Sequence, residues 1–363
     1  MKQKISLLFC STNNISSRFT LYPIWISTFR KRFDFFDDGR YLLSNDKNQT
    51  LVVFSKYFRT VDPENRSEFL DVLRTRYKKL IFFEDNAGSE SEYLGYLPYF
   101  DLYFKKQGFK DKSLYGKVLH GNKIFTDFYH SHFGVQMFPN PSPFPRPDLN
   151  ELEAKFRIGW NLAIGQYHNN HRWNRPDYFP HLYKYFGPWL INKVLGRFPF
   201  NKKCPIPDRK ACQARFIYQP NRSAIDFQRK LFLELINGNP LFVSGRISKS
   251  EYNLEIKSLK AVLSPFGFGE VCFRDFEAIL NGSVLVKPDM SHIETWPEIY
   301  VPNQTYLPVS WDGSDLVKKV EGLLENESQI GYLRQNAWDR LEDAYLNLED
   351  RVSYFLSEID SIN

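Results

Sequence analysis

Residues 260–300, KAVLSPFGFGEVCFRDFEAILNGSVLVKPDMSHIETWPEIY, constrain the fold more than any other stretch of this chain. A short apolar run at 261–263 has the length of a buried strand, and a Pro- and Gly-rich turn, SPFGFG, follows it. From Glu270 the periodicity becomes that of a helix, which Asn281-Gly282 brings to a stop. A second apolar run, SVLVKP, supplies the next strand. Strand, glycine turn, helix and strand in that order make a βαβ crossover, whose two strands lie parallel. A chain built on such a unit belongs to the α/β class.

The polarity of this helix has two explanations. At 100° per residue, Glu270, Arg274, Glu277 and Asn281 fall within an arc of roughly 60°. Cys272, Phe273, Phe276, Ile279 and Leu280 cover roughly 120° on the other side and supply a buried face. An ion-pair ladder on a solvated face accounts for the polar stripe. Its position offers the other account, because ligands of open α/β sheets collect beyond the carboxyl ends of the strands. A glycine-rich loop at a helix N-terminus presents unpaired N–H groups to a phosphate.

The same residues carry a resemblance. Gly269, Arg274, Glu277-Ala278, Gly282 and the following SVLV resemble the nucleotide-sugar signature of exostosin-type and related bacterial glycosyltransferases. The longer run from Ser264 to Pro297 is similar to bacterial surface-polysaccharide glycosyltransferases, as are DLYFKKQ (101–107) and KFRIGWN (155–161). The resemblance implies two Rossmann-like domains facing a cleft, the B fold. It also implies transfer of a sugar from a nucleotide-sugar donor to a glycan or lipid-linked acceptor. Glu277 would then accept hydrogen bonds from the ribose hydroxyls. The chain departs from the more distant group-one enzymes: three extra residues separate Gly269 from Glu277, and Phe266 stands where they carry an acid before the GFG turn. Their retaining mechanism is therefore not carried over.

At 363 residues the chain has room for two α/β domains. We expect an acceptor-side domain over 1–200 and a nucleotide-sugar domain over 201–345. Residues 346–363 would form a helix that crosses back to the first domain, as is usual in the B fold. The linker falls at NKKCPIPDRK (201–210), polar and with two prolines. The run FPNPSPFPRPD (138–148) is an exposed loop of the first domain. The 33 Phe and 21 Tyr point first to an aromatic core and second to sugar-binding grooves.

Net charge is +6 without a block of Lys or Arg, so nucleic acid is not indicated. A mild positive excess suits a phosphate-bearing donor or an anionic membrane face. No run approaches the ~20 apolar residues of a membrane span, and the N-terminal ISLLFC fits a first strand better than a signal peptide. The expected location is cytoplasmic, with room for peripheral membrane contact. The aromatic and basic run 16–36 is either a lipid-facing patch or a helix that packs Trp25 and Phe29 into its own domain. Four widely spaced cysteines suggest reduced thiols rather than a disulfide frame. His168, His171 and His181 lack the carboxylate support of a metal site, and there is no Asp-x-Asp motif. Neither a metal nor a bound cofactor is expected.

Site residues follow from the strand ends. In the second domain a strand over 214–218 would place Arg215 and Arg222 beside a turn, to meet a diphosphate or simply to carry surface charge. With Arg274, Glu277, Glu270, Gly267 and Gly269 they form the expected donor site, bordered by Lys287, Asp289 and His292 after the following strand. Lys287 and Asp289 pairing within a turn is the alternative for those two. In the first domain Glu84 and Asp85 end the strand 80–83. Either has the chemistry of a general base for the acceptor hydroxyl, and either fits a plain polar turn. A nucleotide-sugar-binding module without chemistry, or an epimerase on the same frame, is the alternative to a transferase.

Overall fold

Short, almost wholly apolar segments build two parallel sheets in the computed structural model, which describes residues 3–10, 15–137, 141–161, 203–219 and 223–362. In the first half the strands are β1 (Ile5–Leu8), β2 (Phe33–Phe36), β3 (Thr50–Phe54), β4 (Lys79–Glu84), β5 (Leu102–Lys105), β6 (Gln107–Phe109) and β7 (Phe156–Ile158). All but β6 form one parallel sheet in the order β2-β1-β3-β4-β5-β7. The helices here are α1 (Ile15–Ile26), α2 (Gly39–Asn45), α3 (Ser55–Phe58), α4 (Arg66–Arg76), α5 (Ile124–Phe133) and α6 (Leu149–Lys155). Strands such as TLVVF and LIFF are apolar on both faces because the sheet is buried on both faces. Trp25 packs with Leu21 and Ile24 into this domain's own core.

The second half repeats the plan. Its strands are β8 (Arg209–Ala214), β9 (Phe242–Ser244), β10 (Leu259–Leu263), β11 (Val284–Pro288), β12 (Ile293–Thr295) and β13 (Leu307–Val309). The parallel order is β13-β11-β10-β8-β9. The helices are α7 (Ser223–Leu235), α8 (Lys249–Glu255), α9 (Phe273–Leu280), α10 (Leu316–Glu325), α11 (Glu327–Leu346) and α12 (Leu348–Ser361). Two Rossmann-like domains thus face one another, the α/β architecture of the B fold.

Two local expectations need correction. The strand foreseen at 214–218 is β8, Arg209–Ala214, which takes the end of the foreseen linker. Cys212 and Ala214 lie fully buried between β9 and β10, where small side chains fit a crowded sheet centre. The more apolar Phe216 and Ile217 belong to the loop beyond. The helix foreseen from Glu270 begins at Phe273, because Asp275 Oδ2 accepts the Cys272 N–H (3.0 Å) and caps the helix there. Glu270 is therefore a loop residue and not part of a helical stripe.

The domains share packing. Phe125 and Phe266 have ring centroids 5.3 Å apart, and the Tyr129 hydroxyl donates to the Trp311 carbonyl oxygen (2.7 Å). A two-stranded antiparallel ribbon joins β6 of the first half to β12 of the second. The last helix, α12, lies on the first sheet, where Phe355 meets Phe104, Trp160 and Phe83 at 4.7, 5.3 and 6.0 Å. Burying one such ring contributes about 1.5–3 kcal/mol. Among the described residues no helix is long and apolar enough to cross a membrane.

Candidate nucleotide site

Strand order reverses in the second sheet between β8 and β10, and this is where open α/β sheets form a crevice. A cavity of about 660 Å³ lies there. Loops leaving the carboxyl ends of three strands line it: Arg215, Phe216 and Ile217 after β8, Gly245 and Arg246 after β9, Gly267 to Gly269 after β10. Lys249 and Tyr252 of α8 and Arg274 and Glu277 of α9 complete the wall. Ala87, from the loop after β4, closes it from the first domain.

The glycine turn is held from behind by α7. The Phe266 N–H donates to Gln228 Oε1 and its carbonyl accepts from Arg229 Nε, both at 2.8 Å. Gly269 is required by a close approach. A Cβ there would overlap the Ala87 carbonyl and lie 2.6 Å from the Gly88 nitrogen. Gly267 has looser limits, since its Cβ would meet the end of the Arg229 side chain at 3.0 Å.

Charge in the cavity is one-sided. Arg215, Arg229, Arg246, Lys249 and Arg274 line it against the single acid Glu277. Arg215 is already neutralised: Glu255 takes its Nε at 2.9 Å and its Nη2 at 2.6 Å. Arg229 has Asp226 at 3.6 Å. Arg274 differs in that, although it bonds the Tyr252 hydroxyl, part of its guanidinium is left unmatched. Its guanidinium lies 5.6 Å from the centre of the Phe216 ring, and its buried Nε and Nη1 have no hydrogen-bond partner. Buried donors of this kind are rarely left unmade without a ligand or water to take them. Glu277 is fixed beside it, accepting from the Tyr252 hydroxyl (2.6 Å) and Lys249 Nζ (3.2 Å). Burial, and after it the Glu277 charge, pushes the Tyr252 phenol well above its ordinary range, so the hydroxyl stays a donor.

The structure thus gathers Arg215, Gly267, Gly269, Arg274 and Glu277 in one cavity, and places Glu270, Lys287, Asp289 and His292 elsewhere. Glu270 is wholly buried between the domains, where its Oε2 accepts the Ser89 N–H (3.0 Å). Lys287 is also fully buried and pairs with Asp275 (3.0 Å), not with Asp289. The Asp289 carboxylate closes its own turn by accepting the Ser291 N–H (2.6 Å). His292 has Nε2 3.7 Å from Glu270 Oε1, and its ring sits edge-on to Trp311. Arg222 lies outside the described residues, as do His168, His171 and His181. Arg229, Arg246, Lys249 and Tyr252 line the cavity without having been foreseen. Arg246, two residues past the end of β9, was findable from the strand-end rule alone.

In the first domain Glu84 and Asp85 are both buried, but differently employed. Glu84 Oε2 accepts from Tyr103 (2.7 Å) and pairs with Lys105 (3.1 Å), while Oε1 accepts from Asn86 (3.1 Å). Asp85 Oδ1 accepts from the Ser55 hydroxyl (2.7 Å) and the Lys56 N–H (3.3 Å), and Oδ2 has no partner. Lys106 is fully buried nearby with its Nζ unpartnered. Burial is the main cause that brings its amine down to about 7, against the opposing pull of Asp85. Among the described residues no three His, Cys, Asp or Glu side chains gather where a metal ion could be held.

No protein-family model matches the chain, and no curated protein matches it. Solved structures do. A glycosyltransferase from Rickettsia africae ESF-5 is similar over 100% of both chains at 10% identity, with a TM-score of 0.47. The Anabaena protein Alr3699/HepE in complex with UDP and glucose is similar over 98% of this chain and 99% of its own, at 11% identity and a TM-score of 0.45. The T4 phage enzyme BGT in complex with UDP-glucose is similar over the same shares at 14% identity, with a TM-score of 0.43. All three scores lie below 0.5, so the assignment of function rests on the residues of the cavity.

Proposed function

We propose that the chain is a glycosyltransferase that moves a sugar from a nucleotide-sugar donor to a glycan or lipid-linked acceptor in surface-polysaccharide biosynthesis. The observation that carries this is Arg274, whose buried Nε and Nη1 are unpartnered in a cation-lined cavity at the strand-order reversal, with Glu277 one helical turn away. The diphosphate of the donor takes up the Arg274 donors and, with Arg246 and the 267–269 turn, has its charge offset without a metal. Glu277, already oriented by Tyr252 and Lys249, receives the ribose hydroxyls. Phe216, Phe268 and Phe273 give the cavity its apolar lining.

The chemistry is a displacement at the anomeric carbon. The acceptor oxygen forms the new bond to that carbon while the bond to the diphosphate oxygen breaks, and the nucleoside diphosphate leaves with the electron pair. Asp85 takes the acceptor proton. It is preferred to Glu84 because its Oδ2 is unpartnered, whereas both Glu84 oxygens are engaged. The test is release of nucleoside diphosphate from a panel of nucleotide sugars with oligosaccharide or polyprenyl-phosphate-linked acceptors, in EDTA. Release that survives EDTA is expected. Affinity without release would make the chain a binding module, conversion of the donor without acceptor would make it an epimerase, and release only with added Mg²⁺ or Mn²⁺ would overturn the metal-free route.

A further inference from the structure

The loop after β4, residues 85–90, carries Asp85 at one end and is gripped along its length. From the first domain, Gln107 Nε2 donates to the Ala87 carbonyl (2.6 Å) and the Tyr115 hydroxyl donates to the Ser89 carbonyl (3.0 Å). From the second domain comes Glu270, the residue directly after the glycine turn of the cavity, whose Oε2 accepts the Ser89 N–H (3.0 Å). Just before it, Gly269 touches the same loop at Ala87 backbone to backbone. The nucleotide turn and the acid-bearing loop are therefore joined by adjacent residues of one short segment.

A carboxylate in this place needs a reason. Glu270 is fully buried, and an ionised carboxylate there is costly unless its oxygens are satisfied. Burial works against its charge, but His292 at 3.7 Å and Lys123 work for it and shift the carboxyl below its ordinary range. The neighbouring acid Glu90 is pushed the other way, its burial outweighing its pairing with Lys123. Glu270 points its Oε2 at a first-domain backbone N–H rather than into the cavity.

We infer that Glu270 is a positioning residue, which transmits the seating of a nucleoside diphosphate on the 267–269 turn to Ser89 and so to the setting of Asp85. The inference rests on the proposed nucleotide site, and it separates Glu270 from the donor ligands. A phosphate that orders the turn also orders Glu270, and the hydrogen bond from the Ser89 N–H carries that order across the domain boundary.

The experiment uses the full chain with Glu270→Met, which keeps length but removes the acceptor, and Glu270→Gln, which restores an acceptor oxygen. Hydrogen exchange at residues 86–90 is read without ligand and with uridine, guanosine or adenosine diphosphate, together with nucleotide affinity and kcat. In Glu270→Met, Ser89 exchange should rise about 10-fold or more, nucleotide affinity should stay within about 3-fold, and kcat should fall roughly 10²-fold. Glu270→Gln should recover most of both losses. Unchanged Ser89 exchange in Glu270→Met overturns the inference, as does nucleotide affinity that falls as it does in Arg274→Ala, which would make Glu270 a donor ligand. If Glu270→Met does not fold, the wild-type chain decides: a bound nucleoside diphosphate should slow exchange at Ser89, and no slowing contradicts the inference. A wild-type chain that binds no nucleotide or shows no turnover refutes the proposed function, while the ligand-free exchange comparison still reports on the Glu270–Ser89 link.

Discussion

Gly269 and Ala87 meet backbone to backbone across the two domains, so closely that a Cβ on Gly269 would overlap the Ala87 carbonyl. Backbone atoms in a packed interface cannot swing aside as a side-chain end can. Gly269→Ala should therefore destabilise the chain by about 1–3 kcal/mol, the usual cost of overpacking. Gly267→Ala should cost less, since the Arg229 side-chain end that it meets can move. Urea unfolding of the two variants checks this, and equal stabilities would show that the contact gives way freely.

The two acids at the end of β4, Glu84 and Asp85, should separate cleanly on mutation. Asp85→Asn keeps an oxygen for Ser55 and removes the proposed base, so kcat should fall about 10²–10⁴-fold with donor affinity nearly unaltered. Glu84→Gln breaks a fully buried pair with Lys105, and loss of one such partner costs about 3–5 kcal/mol of stability. Steady-state kinetics and thermal melts on both variants give the comparison. If Asp85→Asn turns over normally, the base lies elsewhere.

Part of this architecture is legible in the sequence, for physical reasons. Short continuous apolar runs such as LIFF and VLV, bounded by turn residues, fit buried parallel strands, and they stand where the pattern puts them. The strand β8 lies about five residues before the expected 214–218, because Ala211, Cys212 and Ala214 fill a crowded sheet centre with small side chains that carry little strand signal, while the more apolar Phe216 and Ile217 lie beyond it. Arg274 and Glu277 share a helix face at i,i+3 and both reach the cavity. Glu270 fits the same spacing by coincidence, because the Asp275 cap starts the helix three residues later. Lys287 and His292 follow a strand end and have the right chemistry, yet long-range partners, Asp275 and Glu270, claim them. Spacing along the chain carries no information about such partners. Arg229 and Lys249 reach the cavity from helices whose orientation only the packed sheet fixes.

Lys106 makes the fold sensitive to pH. Burial lowers its amine to about 7 from an ordinary 10.5, so between those values the unfolded chain binds a proton that the folded chain does not. Stability from this group is therefore fully present above the unfolded value and is lost as pH falls toward 7. Lys106→Met, which keeps the volume and removes the charge, should raise the melting temperature at pH 7 and bring little change at pH 10. Melting curves across pH 6.5–10 test this, and a variant less stable than wild type at pH 7 would show that the amine has a partner which repays its burial.

The nucleotide cavity is tested most directly by titrating uridine, guanosine and adenosine diphosphates into the wild-type chain and Arg274→Ala by calorimetry. Arg274 has two buried donors with no partner in the fold, so its loss should leave the melting temperature within a few degrees of wild type. A charge-assisted hydrogen bond contributes about 1.5–3 kcal/mol, so the preferred nucleotide should bind Arg274→Ala about 10–100-fold more weakly. A wild-type chain that binds none of the three, or an Arg274→Ala variant that binds its nucleotide as tightly as wild type, would contradict the assignment.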